Sequence, residues 1–286
     1  MASVSNEILD YFARFIENEL GIIYADHNYF QLQNRLEQVA IKLSLESVDA
    51  MFVLAQKGIT PEMRLLLLDL ATNNETSFFR DPKLFSALED VILKGALVSP
   101  KPLLNIWSAA SSTGQEALSV AILIEEFNFN RKSKGEQKIV DYKIIGTDIS
   151  ERVLAKAKSH VYSPFELQRG LAPELMRKYF RQDSPDVWKA SVDLTRRIEF
   201  KKMNLKDPFS FANAFDLILC RNVLIYQHVK AKQVIVERIS QALSPCGYLI
   251  LGSGESLVGI SDEFEQESVG GAIIYRKRAT SARVSA

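Results

Sequence analysis

The sequence has little cysteine, little histidine, no surplus of charge and no long apolar run. Only Cys220 and Cys246 stand among the 286 residues. Both sit in apolar, strand-like contexts, which excludes a disulfide framework and fits a reducing compartment. His27, His160 and His228 lie far apart and in no ligand spacing, so no metal site is expected. Basic and acidic side chains balance at 35 each, so the overall charge points neither to nucleic acid nor to a membrane surface. No apolar run reaches the roughly 20 residues of a membrane span, and the N-terminus lacks the basic start and apolar stretch of a signal peptide. A cytoplasmic location without membrane insertion is the expectation. The dinucleotide fingerprint G-x-G-x-x-G is missing as well.

What is present is ordinary for a globular protein: 47% hydrophobic and 24% charged residues, in a chain long enough for one large or two smaller domains. The charge is unevenly placed. Residues 1–100 carry 8 basic and 14 acidic groups, net −6, and the remainder carries 27 and 21, net +6. That asymmetry hints at two domains. Residues 5–95 read as helices only. Ser5 caps a first helix that ends at Gly21; others cover about Asp26–Leu43, Ser47–Gln56 and Met63–Ala71, the last started by Thr60-Pro61. A polar run, Thr72–Pro82, breaks the pattern with two aromatics and an arginine. After a helix at about Pro82–Leu93, strands and helices alternate. Strands are expected at Leu103–Trp107, Tyr142–Thr147, Trp188–Asp193, Arg197–Phe200, Phe215–Cys220 and Gly247–Leu251, with a hairpin near Glu267–Arg276. Helices are expected at Gln115–Phe127, Ser150–Ser159 and Lys230–Leu243. The charged segment Phe129–Asp141 reads as a solvated loop, and Tyr162–Phe180 as irregular with helical parts.

In a parallel α/β sheet, ligands bind where the carboxyl ends of the strands meet at the switch point. Here each candidate strand ends in polar residues. The first runs into Ser108-Ala-Ala-Ser-Ser-Thr-Gly114-Gln-Glu116. The second ends at Asp148, placed to accept hydrogen bonds from vicinal ribose hydroxyls. Later strands lead into Asn204-Leu205 and Arg221-Asn222-Val223. A turn with one glycine, followed by the acidic Glu116, is a poor cradle for a pyrophosphate. It suits a nucleoside with a cationic tail, and S-adenosylmethionine has an adenosine, an ammonium and a sulfonium. Each residue alone also has a plain reading. Asp148 caps a helix, the asparagines make turns, and Glu116 favours the helix dipole. Their coincidence at successive strand ends is what the plain readings do not explain.

These residues carry a family resemblance. Asn74-Glu-Thr76-Ser-Phe78-Phe79-Arg80, the run Trp107–Glu116, Gly146-Thr-Asp148-Ile, Tyr179-Phe180, Asn204-Leu205 and Phe-Asp-Leu-Ile-Leu-Cys-Arg-Asn-Val-Leu-Ile-Tyr at 215–226 resemble the CheR family, in the right order from about residue 5 to 278. Those are the S-adenosylmethionine-dependent methyltransferases of bacterial chemoreceptors. The resemblance implies an α/β fold: a Rossmann-like S-adenosylmethionine methyltransferase sheet with a small inserted antiparallel β-subdomain, preceded by an all-α N-terminal domain. The implied domains are 1–95, then 96–278 with the β-subdomain at about 181–200, then a flexible tail at 279–286. The implied reaction makes glutamate γ-methyl esters on chemoreceptors during sensory adaptation, with S-adenosylhomocysteine as product. Carried over by motif, the cofactor pocket comprises Asn74, Thr76, Arg80, Glu116, Asp148, Asn204, Leu205, Asn222 and Val223. Arg80 and Tyr226 would lie nearest the transferred methyl group. A glutamate carboxylate is already ionised at neutral pH and needs no general base. The enzyme has to orient it and strip its water.

Two departures from the family pattern shape the expected partners. Members that dock on a receptor's C-terminal pentapeptide carry a glycine-rich loop in the β-subdomain. Arg181–Ile198 contains no glycine and is shortened, so action without pentapeptide tethering is expected; the protein is also expected to be a monomer. The family's helical domain also presents basic residues to acidic receptor helices. Here only Arg14, Arg35 and Lys42 are candidates. Competing readings are an S-adenosylmethionine-binding regulatory module acting through partner binding, and a small-molecule methyltransferase on the same fold.

Overall fold

A computed structural model describes residues 4–101 and 103–279. The expected flexible tail falls almost wholly outside the described residues.

The chain opens with helices α1 (Asn6–Leu20), α2 (Tyr29–Lys42), α3 (Val48–Lys57) and α4 (Pro61–Ala71). Ser5, Ser47 and Thr60 each cap one of them by accepting a backbone N–H three residues on. Their apolar stripes close a core of Phe12, Ile16, Leu32, Leu36, Met51 and Leu67, separate from the two cores of the sheet. Arg35 is not free to meet a partner. Its guanidinium donates to the carbonyl of Ala71, the last residue of α4, at 2.6 Å, and the Tyr24 hydroxyl donates to the same oxygen at 3.2 Å. Together they terminate α4 where the polar loop begins.

Past that loop the chain runs helically through α5 (Pro82–Ala87), a π-helical stretch (Leu88–Leu93) and α6 (Lys94–Val98). There follow β1 (Leu103–Ala109), α7 (Gln115–Ser133), β2 (Asp141–Asp148), α8 (Glu151–Ser159), β3 (Val161–Tyr162), α9 (Pro164–Gln168), α10 (Pro173–Tyr179), β4 (Phe180–Ser184), β5 (Val187–Ala190), α11 (Val192–Thr195), β6 (Ile198–Lys202), β7 (Phe215–Cys220), α12 (Val229–Ala242), β8 (Leu243–Leu251), β9 (Phe264–Val269) and β10 (Ala272–Lys277). The large sheet has the order β6-β2-β1-β7-β8-β10-β9. Its first five strands are parallel; β10 and β9 run antiparallel at the far edge. One face packs against α7 and the helical run before β1, through Leu118, Ile122 and Leu88. The other packs against α12, through Ile235, Val236 and Ile239. Each such fully buried aliphatic side chain contributes on the order of 1.5–3 kcal/mol.

Three expectations are corrected. The segment read as a solvated loop from Phe129 is helical to Ser133, because its polar residues staple the helix end to the returning chain. Asn128 exchanges two hydrogen bonds with the Val140 backbone, at 2.8 and 2.9 Å, and Arg131 donates to the Lys138 carbonyl at 3.0 Å. The small antiparallel sheet is β3-β5-β4, so it begins at Val161 and not at about 181. Ile198–Phe200, which lies inside the expected bounds of that subdomain, belongs instead to β6, the parallel edge of the large sheet against β2.

Strand order reverses between β1 and β7, and a crevice opens beyond their carboxyl ends. The helical N-terminal region reaches this crevice. Ile22 forms an antiparallel bridge with Gln227, and the Ile23 N–H donates to the Tyr226 carbonyl at 3.3 Å.

Candidate functional site

The turn after β1 folds back on itself. Ala110, Ser112 and Gly114 all take left-handed backbone angles, with φ of +57°, +50° and +92°. This turns the Ser112 N–H onto Asp148 Oδ2, at 2.9 Å, while Asp148 Oδ1 accepts the Ser150 N–H at 3.0 Å. The carboxylate is therefore fixed by backbone before any ligand arrives. Burial pushes its pKa up from the ordinary aspartate value, and the N–H groups of Ser150, Ser112 and Ile149 oppose that rise.

Glu116 sits at the start of α7 but is not a free anion. Ser108 Oγ donates to its Oε1 at 2.7 Å, and Arg221 Nη1 donates to its Oε2 at 3.2 Å. The Arg221 side chain is 4% exposed and that of Glu116 12%, so this pair lies in a low-dielectric setting. Arg221 Nη2 also donates to the Arg80 carbonyl, at 2.7 Å. One guanidinium thus ties the end of β7 to the start of α7 and to the polar loop. The acid expected to seat a cationic tail comes with its own counter-charge.

The loop 72–80 is held at several points. Phe78 is fully buried, edge-on to Tyr162 and Phe180. The Phe79 N–H donates to Ser119 Oγ at 2.9 Å, and Ser112 Oγ donates to the Asn74 carbonyl at 2.7 Å. Asn73 Nδ2 reaches across to the Tyr226 hydroxyl oxygen, at 3.0 Å. The orientation of that amide follows from its other end, where Oδ1 accepts the Glu75 N–H at 3.4 Å. Opposite, Asn204 Nδ2 donates to the Glu19 carbonyl at 3.0 Å, and Lys206 Nζ donates to the Glu17 and Asn18 carbonyls at 3.1 and 2.6 Å. These bonds fasten the C-terminal end of α1 over the crevice.

The result is one cavity, open to solvent on one side. Asn74, Thr76, Arg80, Glu116, Asp148, Asn204, Leu205, Asn222, Val223 and Tyr226 all line it. Arg221, Asn73, Ser111 and Gln227 line it too and were not picked out as site residues.

Residues 74–272 match the family described as CheR methyltransferase, SAM binding domain. The chain belongs to the CheR methyltransferase family. It is an S-adenosylmethionine-dependent methyltransferase. The chemotaxis protein methyltransferase of Vibrio parahaemolyticus is 34% identical over 274 residues, covering 96% of this chain and 98% of that protein. Chemotaxis protein methyltransferase 1 of Vibrio cholerae is likewise 34% identical, with the same coverage. Chemotaxis protein methyltransferase 1 of Pseudomonas aeruginosa is 32% identical over 279 residues, covering 96% of this chain and all of that protein. No helix among the described residues is long and apolar enough to cross a membrane.

The CheR cavity fits S-adenosylmethionine by its own chemistry. Ser111 Oγ and Gln227 Oε1 are buried without a hydrogen-bond partner among the described residues, and both residues line the cavity. Buried polar atoms of this kind call for a polar ligand. A prepared aspartate, four asparagines and a compensated ion pair accompany them, against the apolar walls of Leu20, Ile149 and Leu205.

Proposed function

We propose that this chain methylates glutamate side chains on the helical cytoplasmic region of a chemoreceptor, giving γ-methyl esters and S-adenosylhomocysteine. It works in the cytoplasm, as a monomer and without a pentapeptide tether. The observation that carries the reading is the meeting of Arg80 and Tyr226, far apart in the sequence, in one cavity with the polar strand ends. The names of the relatives, chemotaxis protein methyltransferases over nearly full length, support the receptor as substrate and disfavour a purely regulatory module.

S-adenosylmethionine supplies an electrophilic methyl group when bound. Asn74, Thr76, Glu116, Asp148, Asn204, Leu205, Asn222 and Val223 are assigned to holding it. Asp148 would take the ribose hydroxyls, and the Glu116–Arg221 pair would take the amino-acid end, each charge meeting its opposite. The acceptor carboxylate arrives ionised, so no proton has to move and no base is needed. Arg80 and the Tyr226 hydroxyl are assigned to orienting that carboxylate. Asn73 donates to the Tyr226 oxygen and so leaves the hydroxyl proton for the substrate. The tether-free mode is supported by the β4–β5 hairpin, whose strands pair up to Ser184 and Val187 and leave only Pro185 and Asp186 as its tip.

The test is mass spectrometry of a receptor signalling fragment incubated with enzyme and S-adenosylmethionine. The reading expects the mass of one added methylene at a helical glutamate, lost when that glutamate is replaced by glutamine. Modification at any other residue type refutes it.

A further inference from the structure

The loop after β7 is closed around a carboxylate supplied by the chain itself. Asn222 takes a left-handed backbone, φ +59°, and a single turn of 3-10 helix follows at Leu224–Tyr226. This brings several backbone N–H groups to one point, and Glu255 occupies it. Its Oε2 accepts the N–H groups of Asn222 and Gly252, at 2.8 and 2.7 Å. Its Oε1 accepts those of Val223 and Ile225, at 2.9 and 3.1 Å. Converging backbone donors of this kind form an anion-binding nest, and bonds to an ionised acceptor are the stronger sort. Gly252 permits the approach. A Cβ there would lie 2.6 Å from the Asn222 amide nitrogen and 2.9 Å from Glu255 Oε2.

Glu255 does not itself line the cavity, but Asn222, Val223 and Tyr226, on the loop it holds, do. We propose that Glu255 is a positioning residue of the transferase: by filling this nest it sets the cofactor-facing Asn222 and Val223, and Tyr226 beside them, in their working places. Among the described residues no other side chain accepts as many of the loop's backbone N–H groups. Two of the four donors belong to cavity-lining residues, a third is the neighbour of Tyr226, and the fourth is at the end of β8. Without the carboxylate, donors that now converge would turn away from one another and take the cavity wall with them.

Glu255→Gln tests this with nearly unchanged shape. Whichever way the new amide turns, its NH2 faces one pair of N–H donors, so half of the clamp is lost while the other half keeps its oxygen. We expect the Kd for S-adenosylhomocysteine, measured by calorimetry, to rise about tenfold, and kcat per titrated active site to fall about tenfold. The thermal midpoint should move little. Glu255→Ala empties the nest, and added formate should restore its activity saturably while leaving the wild type unaffected. A purely architectural role predicts fewer folded molecules, each with wild-type Kd and kcat. That result in folded Glu255→Gln overturns the proposal, whether or not Glu255→Ala folds. The calorimetric arm needs no protein acceptor, so it stands apart from the identity of the methylated substrate.

Discussion

Asp148 is buried, ionisable and already bonded to two backbone N–H groups. Burial favours its neutral form, so its carboxyl titrates above the ordinary aspartate value. Between the two values the folded chain binds more protons than the unfolded one. The ionised group therefore costs stability at neutral pH, and that cost is relieved as pH falls through the raised value. Cofactor binding runs the other way, because the ribose hydroxyls need the ionised acceptor. Calorimetry should show S-adenosylhomocysteine affinity declining on the acid side, beginning above the ordinary carboxyl range, and Asp148→Asn should be weak and flat. A wild-type affinity constant down to that range contradicts the assignment. Arg80→Ala and Tyr226→Phe should each lower kcat at least about tenfold, roughly 1.4 kcal/mol of barrier. For Tyr226→Phe the Kd for S-adenosylhomocysteine should stay within twofold, since the hydroxyl is assigned to the acceptor side. Rates within a factor of two of wild type for both variants would remove the two residues from the mechanism. That the ten candidate residues share one cavity was legible because each lies in a contiguous motif. Arg221 was visible in the same motif, but its use was not, since Glu116 lies 105 positions away. Glu255 was invisible, because what marks it is a set of four donors that only folding gathers.

At the scale of elements, the loop 72–80 gains its rigidity from neighbours remote in sequence. Gly170 lies so close beneath it that a Cβ would stand 1.9 Å from the Phe78 carbonyl oxygen, and its φ of +98° already disfavours a side chain. Arg169, next to it, pairs with Glu75 at 2.9 Å. Gly170→Ala should cost about 1–3 kcal/mol, read as a lower denaturant midpoint, and should weaken cofactor binding through the displaced loop. An unchanged midpoint would show that the contact is not a close one. Helices and strands with a clear period were readable, caps included. The end of α7 was not, because Asn128 and Arg131 look like loop residues until Val140 and Lys138 return beside them. The small sheet was misplaced for a related reason. β3 is two residues long and carries no period of its own, so only its pairing with β5 reveals it.

At the scale of the whole molecule, the helical region and the sheet enclose the cavity jointly. Lys206 and Asn204 grip the carbonyls that end α1, while Arg221 and Ser112 grip the loop that follows α4. The composition shift near residue 100 forecast two regions of opposite charge, and the motifs forecast a pocket with walls from both, with Asn74, Thr76 and Arg80 set beside the strand ends. Arg35, engaged with the Ala71 carbonyl, leaves Arg14 and Lys42 as the exposed cations of the original three. A titration of this chain with a fluorescent receptor-tail pentapeptide should show no binding at micromolar concentration, in keeping with the short β4–β5 tip; saturable micromolar binding would contradict the tether-free mode. The most direct measurement is tritium transfer from methyl-labelled S-adenosylmethionine to receptor-bearing membranes. A glutamate ester predicts protein-bound label that mild base releases as volatile methanol, and that is sharply reduced with Arg80→Ala. Label that resists base would mean that the methyl group is not on a carboxylate.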